Sequence, residues 1–150
     1  MPLTEHLGDL FAAELFRPAG PRDRQNPYVA HCVSRCVKMG AGFAKIVRTR
    51  LRKLPVGAAF SSKPLPFVYQ QLSADGKLTF LHLVTKELYW HKPTLEAVFG
   101  AIATVEKALP AGTAVNAPRI GCGLDRLSWS DVSARLTESP LDWHVWRLTK

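Results

Sequence analysis

Apolar and polar positions divide the chain into short strands and helices. Tyr28 to Ser34 (YVAHCVS) is an apolar, β-rich run and predicts a buried strand. From Phe43 to Leu54 the residues Phe43, Ile46, Val47, Leu51 and Leu54 recur at helical spacing. Lys45, Arg48, Arg50, Arg52 and Lys53 fall on the other face, so an amphipathic basic helix is predicted. Phe67 to Leu72 and Lys77 to Val84 flank a Ser-Ala-Asp-Gly stretch in which Asp75-Gly76 signals a turn, which predicts an antiparallel hairpin. Pro93 leads into a long helix, Thr94 to Leu109, with Leu95, Val98, Phe99, Ile102 and Val105 on one face, and Pro110 and Gly112 stop it. Ala114 to Ile120 reads as a strand, Ser128 to Thr137 as a helix and Trp143 to Leu148 as a closing strand. At the start, Leu3 to His6 fits a short edge strand, Gly8-Asp9-Leu10 a turn, and Phe11 to Leu15 a helical patch. Pro18 to Pro27 reads as a solvated loop. Helices interspersed with strands predict an α/β sandwich around a mixed sheet.

Composition narrows this picture. A chain of 150 residues can build one domain with a full core, burying roughly 70% of its unfolded surface, and is read as a single domain spanning residues 1–150. No run approaches the roughly 18 apolar residues of a membrane span, so no membrane is expected among its partners. The opening MPLTEHLGDLFAAELF has acids and no basic leader. That predicts neither a secretory signal nor a transit peptide, and a cytoplasmic location, or a nuclear one in a eukaryote. Cys32, Cys36 and Cys122 lack a framework spacing and fit free thiols in a reducing compartment. The excess of 20 basic over 12 acidic side chains, a net charge of +8, favours anionic partners such as nucleotides or nucleic acid. A solvated basic surface explains the same charge.

Candidate chemistry concentrates in PRIGCGLDRLSW, Pro118 to Trp129. Gly121 and Gly123 bracket Cys122 just after an apolar run, and such a loop leading toward a helix start lets backbone N–H groups cradle phosphate. Asp125 follows at its rim. MGAGFAK, Met39 to Lys45, lacks the Lys-Ser/Thr of a P-loop and the third glycine of a dinucleotide fingerprint. His31, Cys32 and Cys36 lack a second ligand pair with structural-site spacing, so no metal is expected, nor any cofactor. Cys122 and His91 could be drawn as a nucleophile and base, but nothing supplies an orienting third group. Lys86 ends a predicted buried strand. A partly desolvated amine there would be available as a nucleophile, or the side chain could simply reach out to solvent.

HCVSRCVKMGAGFA (His31 to Ala44), LVTKELYWHKPT (Leu83 to Thr94) and PRIGCGLDRLSW together resemble the macrodomain family. The likeness is closest to the terminal ADP-ribose protein glycohydrolases, the branch that removes ADP-ribose from acidic side chains, and it runs from Gly8-Asp9-Leu10 to the last strand. It implies a three-layer α/β/α sandwich with a mixed six- or seven-stranded sheet and ADP-ribose lying across the strand ends. It further implies that Asp9, beside Leu10, receives the adenine amino group. Ser34 and Met39, Gly40, Ala41 and Gly42 would wall the distal ribose, and Pro118 with Ile120, Gly121, Cys122, Gly123 and Leu124 would hold the diphosphate. Lys86 and Asp125 match the catalytic pair, nucleophile and proton-transfer group. The implied partners are ADP-ribose and ADP-ribosylated proteins, then O-acetyl-ADP-ribose, poly(ADP-ribose) or ADP-ribosylated nucleic acid; the protein is expected to be a monomer. Two departures stand out. Leu148 falls nearest the place where the family often has an aromatic residue against adenine, and Pro55 to Pro66 has no clear counterpart. A non-catalytic reader of ADP-ribose is the alternative to a hydrolase.

Overall fold

Alternation along two neighbouring strands divides the core in two. In β2 (Tyr28–Ser34), Val29 and Val33 join one apolar cluster and Ala30 and Cys32 the other. In β4 (Thr79–Lys86), Phe80 and Val84 go with the first and Leu81 and Leu83 with the second. Strands that bury both faces need a covering layer on each side. The computed structural model of the chain describes residues 3–11, 27–37, 39, 42–55, 62–122 and 126–147. Helix α1 (Gly42–Thr49) packs on the first face, and α2 (Leu95–Ala108) and α3 (Trp129–Thr137) pack on the second.

Among the described residues, β1 (Thr4–Leu7), β2, β3 (Phe67–Leu72), β4, β5 (Ala114–Ala117) and β6 (Asp142–Arg147) form one six-stranded sheet in the order β1-β6-β5-β2-β4-β3. Every adjacent pair is parallel except β3 with β4. The carboxyl ends of β1, β6, β5, β2 and β4 therefore all emerge at one edge, where open α/β sheets place their ligands. The mixed sheet and three layers are those the sequence predicts. No helix among the described residues is long and apolar enough to cross a membrane.

Several boundaries differ from prediction. The basic helix stops at Thr49 rather than Leu54, because the Arg50 carbonyl accepts the Ala74 N–H (2.8 Å) from the hairpin turn instead of continuing the helix. Arg50 then lays its guanidinium over the Phe11 ring, 4.1 Å from the centroid, and Arg52 donates to the Ala74 carbonyl, so these cations are not part of one helical face. β5 ends at Ala117 because Pro118 lacks an N–H. β4 begins at Thr79, after a turn in which Asp75 accepts from the Ser73 hydroxyl (2.6 Å) and the Lys77 N–H (2.9 Å). β1 and β6 are shifted by one residue from their predicted starts, and Ser128 precedes α3 without a side-chain cap bond. Residues 12–15 of the predicted helical patch, and Leu148, lie outside the described residues.

His31 and His82 are register partners on β2 and β4, and both are buried. Gln71 Oε1 accepts from His82 Nε2 at 2.9 Å, which leaves His82 Nδ1 to accept from His31 Nε2 at 2.7 Å. Burial pushes His82 down to about 4; burial and the neighbouring His82 hold His31 well below its ordinary range. Both are therefore neutral in the folded protein at pH values where the unfolded chain takes up protons. Stability from this source is complete above the unfolded histidine pKa of about 6.5 and is lost as pH falls toward 4, at about 1.4 kcal/mol per pH unit for each histidine titrating. Denaturant titrations at pH 7 and pH 5 should show a loss of about 2 kcal/mol or more, and His82→Gln should flatten that dependence. Equal stability at both pH values would contradict the buried neutral pair.

Candidate functional site

The ends of the parallel strands bring together segments that are far apart in sequence. Beyond β1, the Gly8 N–H donates to the Arg147 carbonyl (2.7 Å), so the chain leaving β1 is tied to the end of β6. Asp9 follows, exposed, with Oδ1 accepting the Phe11 N–H at 2.9 Å; this aims the carboxylate while Leu10 and Phe11 anchor the turn in the core. Leu148, the residue next to Arg147, is outside the described region.

Beyond β2, the register slips between Val33 and Ser34 and sets Ser34 opposite Lys86. Ser34 is buried, with its Oγ 3.1 Å from Cys36 Sγ. The Lys86 carbonyl accepts from Arg35 N–H (2.8 Å) and the Glu87 carbonyl from Cys36 N–H (3.0 Å), so the pairing continues past both strands and holds Lys86 on a rigid backbone. Its side chain is half-buried.

The loop then enters an uncommon conformation. Val37 and Met39 have φ of 55° and 46°, and both side chains are buried in the α1-side core. A β-branched residue in the left-handed region stores strain, which persists where surrounding packing enforces it and clusters at ligand sites. Val37 was not singled out from the sequence, since residue type alone carries no sign of this backbone. Gly42 opens α1 at φ 62°, while Gly40 and Ala41 lie outside the described residues.

Beyond β5, half-buried Pro118 ends the strand and Ile120 plugs the α2-side core at 1% exposure. Gly121 has φ 74°, a left-handed backbone that favours glycine, and a Cβ there would press on the Leu127 side chain, 2.9 Å from its Cδ1. Its carbonyl accepts the Leu127 N–H at 2.7 Å. Arg119 lies over Trp129 and reaches Glu5 Oε1 at 3.4 Å, while Trp129 Nε1 donates to the same oxygen at 3.2 Å, clamping this segment to β1. Gly123, Leu124 and Asp125 lie outside the described residues. The Cys122 thiol donates to the Ile120 carbonyl and His91 Nδ1 accepts the Leu88 N–H, so each half of the Cys122 and His91 pair is engaged locally.

Lys86 thus stands at the β4 end of the row of parallel strand ends, with Ser34 opposite and the β5 loop on the far side of β2. On its other side a cleft of about 550 Å³ opens between the end of β4 and the start of α2.

No family model matches the chain. Over 138 residues, 91% of this chain and 82% of the relative, it is 33% identical to "ADP-ribose glycohydrolase OARD1" of Homo sapiens, and the same figures hold for that of Bos taurus. Among solved structures, the macrodomain of Mycobacterium tuberculosis DarG matches with a TM-score of 0.71 at 16% identity, over 98% of both chains. Thermosipho africanus DarTG in complex with ADP-ribose matches with a TM-score of 0.67 at 18% identity, over 99% of this chain and 42% of that one. The structural likeness carries the fold, and the 33% identity across 91% of the sequence carries the kinship. The chain belongs to the macrodomain family, in the branch that contains the ADP-ribose glycohydrolase OARD1.

Proposed function

We propose that this protein is an ADP-ribose glycohydrolase that releases ADP-ribose from glutamate and aspartate side chains, with Lys86 as nucleophile and Asp125 as acid and base. The observation that carries this reading is the placement of Lys86: a half-buried lysine whose backbone is fixed at the end of β4, beside Ser34 on the ligand edge of the sheet, in a chain whose sequence relatives are named ADP-ribose glycohydrolases. ADP-ribose would lie along that edge with adenine at Asp9 and Leu10 and the diphosphate on Pro118 and Ile120 to Leu124. The distal ribose would lie among Ser34, Met39 to Gly42 and Lys86.

The chemistry follows from these positions. The neutral Lys86 amine attacks the anomeric carbon of the distal ribose, and the bond to the acyl oxygen breaks with its electron pair leaving on the carboxylate. Asp125 takes the proton from the nitrogen. The adduct opens to an imine, and addition of water with Asp125 as acid and base returns ADP-ribose and free lysine. A serine could not form that imine. O-acetyl-ADP-ribose is a second substrate under this mechanism when its acetyl group is on the anomeric oxygen. The alternatives are a reader of ADP-ribose or poly(ADP-ribose) that cleaves nothing and a hydrolase acting on ADP-ribosylated nucleic acid. The intact Lys86 and Asp125 favour the enzyme, and the engagement of Arg50 and Arg52 within the fold weakens the case for a nucleic-acid-binding helix.

Asp9→Ala should weaken ADP-ribose binding by about 1 to 3 kcal/mol, because the adenine amino group loses its acceptor. Isothermal calorimetry with free ADP-ribose checks this, and an unchanged affinity would move adenine elsewhere. The hydrolase reading itself is tested by incubating glutamate-ADP-ribosylated protein with the wild type and following ADP-ribose release by mass. No release from a protein that binds ADP-ribose would leave the reader in its place.

A further inference from the structure

The order of strand ends along the site is also an order of substrate parts. From β1 through β5 and β2 to β4, the edge passes the residues assigned to adenine, diphosphate and distal ribose in turn. Beyond β4 the next structure is the cleft between β4, the segment before β3 and the start of α2. A group attached to the distal ribose on the side away from the diphosphate points there.

Leu65, Pro93 and Ala97 give the cleft a largely apolar wall, on which a few hydrogen-bond donors are set. Thr85 lies on the α2 face of β4, 4% exposed, and its Oγ1 has no hydrogen-bond partner among the described residues. His91 contributes a ring whose Nδ1 already accepts the Leu88 N–H, so its Nε2 carries the proton. Lys92 adds positive charge. Helix α2 begins here: Thr94 accepts the Ala97 N–H at 3.0 Å and the first backbone bond runs from Val98 to Thr94, so the positive end of a fourteen-residue helix faces the cleft. The acid on the lining, Glu87, is held by Arg35 through contacts of 2.7 and 3.3 Å.

We propose that this cleft is the leaving-group subsite, which receives the carboxylate of the acidic side chain as Lys86 displaces it. The inference rests on the reading of Lys86 as nucleophile and deepens it. When the bond from the anomeric carbon to the acyl oxygen breaks, the electron pair stays on that oxygen and a full negative charge develops within reach of the cleft. The unpartnered Thr85 hydroxyl is the donor proposed for that oxygen, with the His91 Nε2–H, Lys92 and the α2 terminus supplying the surrounding field. Donors preset around a charge that appears only as the bond breaks act on the transition state. Thr85 and Lys92 therefore serve departure of the carboxylate rather than binding of ADP-ribose.

The test is single-turnover kinetics on the full chain with a glutamate-ADP-ribosylated peptide, alongside ADP-ribose calorimetry. Thr85→Val should slow release of the peptide about tenfold while leaving ADP-ribose affinity unchanged, and Thr85→Ser, which keeps the hydroxyl but not the methyl, should restore the rate. Across ADP-ribose esters of increasingly strong carboxylic acids the defect should shrink, since a weaker base needs less stabilisation. Lys92→Met should follow the same pattern and carries the comparison if Thr85→Val melts early. A rate within twofold of wild type in both variants, an equal loss on every ester, or a Thr85→Ser variant as slow as Thr85→Val would overturn the subsite while leaving the Lys86 reading intact. A wild type that releases peptide no faster than Lys86→Ala would overturn both.

Discussion

In a Lys86→Ala variant, release of ADP-ribose from modified glutamate is expected to fall by about three orders of magnitude or more, the scale of losing a covalent nucleophile, while ADP-ribose affinity stays within about tenfold of wild type. The two quantities separate because a group that acts on the reacting carbon contributes to the transition state rather than to ground-state binding. Structural damage is an unconvincing source of such a loss: Lys86 is held by its backbone, through the carbonyl bond to Arg35 N–H, and its side chain is only half-buried. Stopped assays of released ADP-ribose and calorimetry of the free ligand read the two quantities independently. Turnover at the wild-type rate would remove Lys86 from the chemistry.

Asp125→Ala is expected to be equally inactive and to fail at a different step. Attack by Lys86 and departure of the carboxylate require no proton from Asp125, whereas resolution of the adduct needs a group that activates water. Lysine-linked ADP-ribose should therefore accumulate on this variant, and be absent from a Lys86→Ala, Asp125→Ala double variant. Intact-mass spectrometry of the protein after mixing with substrate distinguishes the two. Full turnover by Asp125→Ala would mean that another group manages the protons.

Much of the sheet was legible because its signals are local. The apolar run from Tyr28 to Ser34, the Asp75-Gly76 turn and the Pro93-Thr94 entry to α2 each state their conformation within a few residues. The errors arose where a distant bond decided the outcome. Periodicity carries the α1 pattern on to Leu54, and Leu51 and Leu54 do pack on the core, but the helix ends because Ala74 captures the Arg50 carbonyl across 24 positions of chain. The pairing of His31 with His82 is likewise set by the sheet register and carries no sign in the local sequence.

The site divided in the same way. Glycine at position 121 marks a turn in the sequence, and its φ of 74° gives the backbone reason. The strained backbone at Val37 and the cleft formed by Thr85, His91 and Lys92 carry no sequence pattern, because each depends on packing between separate elements. Resemblance supplied the roles of Lys86 and Asp125, which spacing alone could not assign. The fold brings Lys86 to the edge shared with Asp9, Ser34 and Gly121, and Asp125 lies outside the described residues.

The measurement that bears most directly on the central claim is the mass of a glutamate-ADP-ribosylated protein before and after incubation with the wild-type chain. Loss of the ADP-ribose increment, with free ADP-ribose appearing in equal amount, is the predicted result. An increment that survives incubation, in the presence of a wild-type protein that binds ADP-ribose, would contradict the glycohydrolase account.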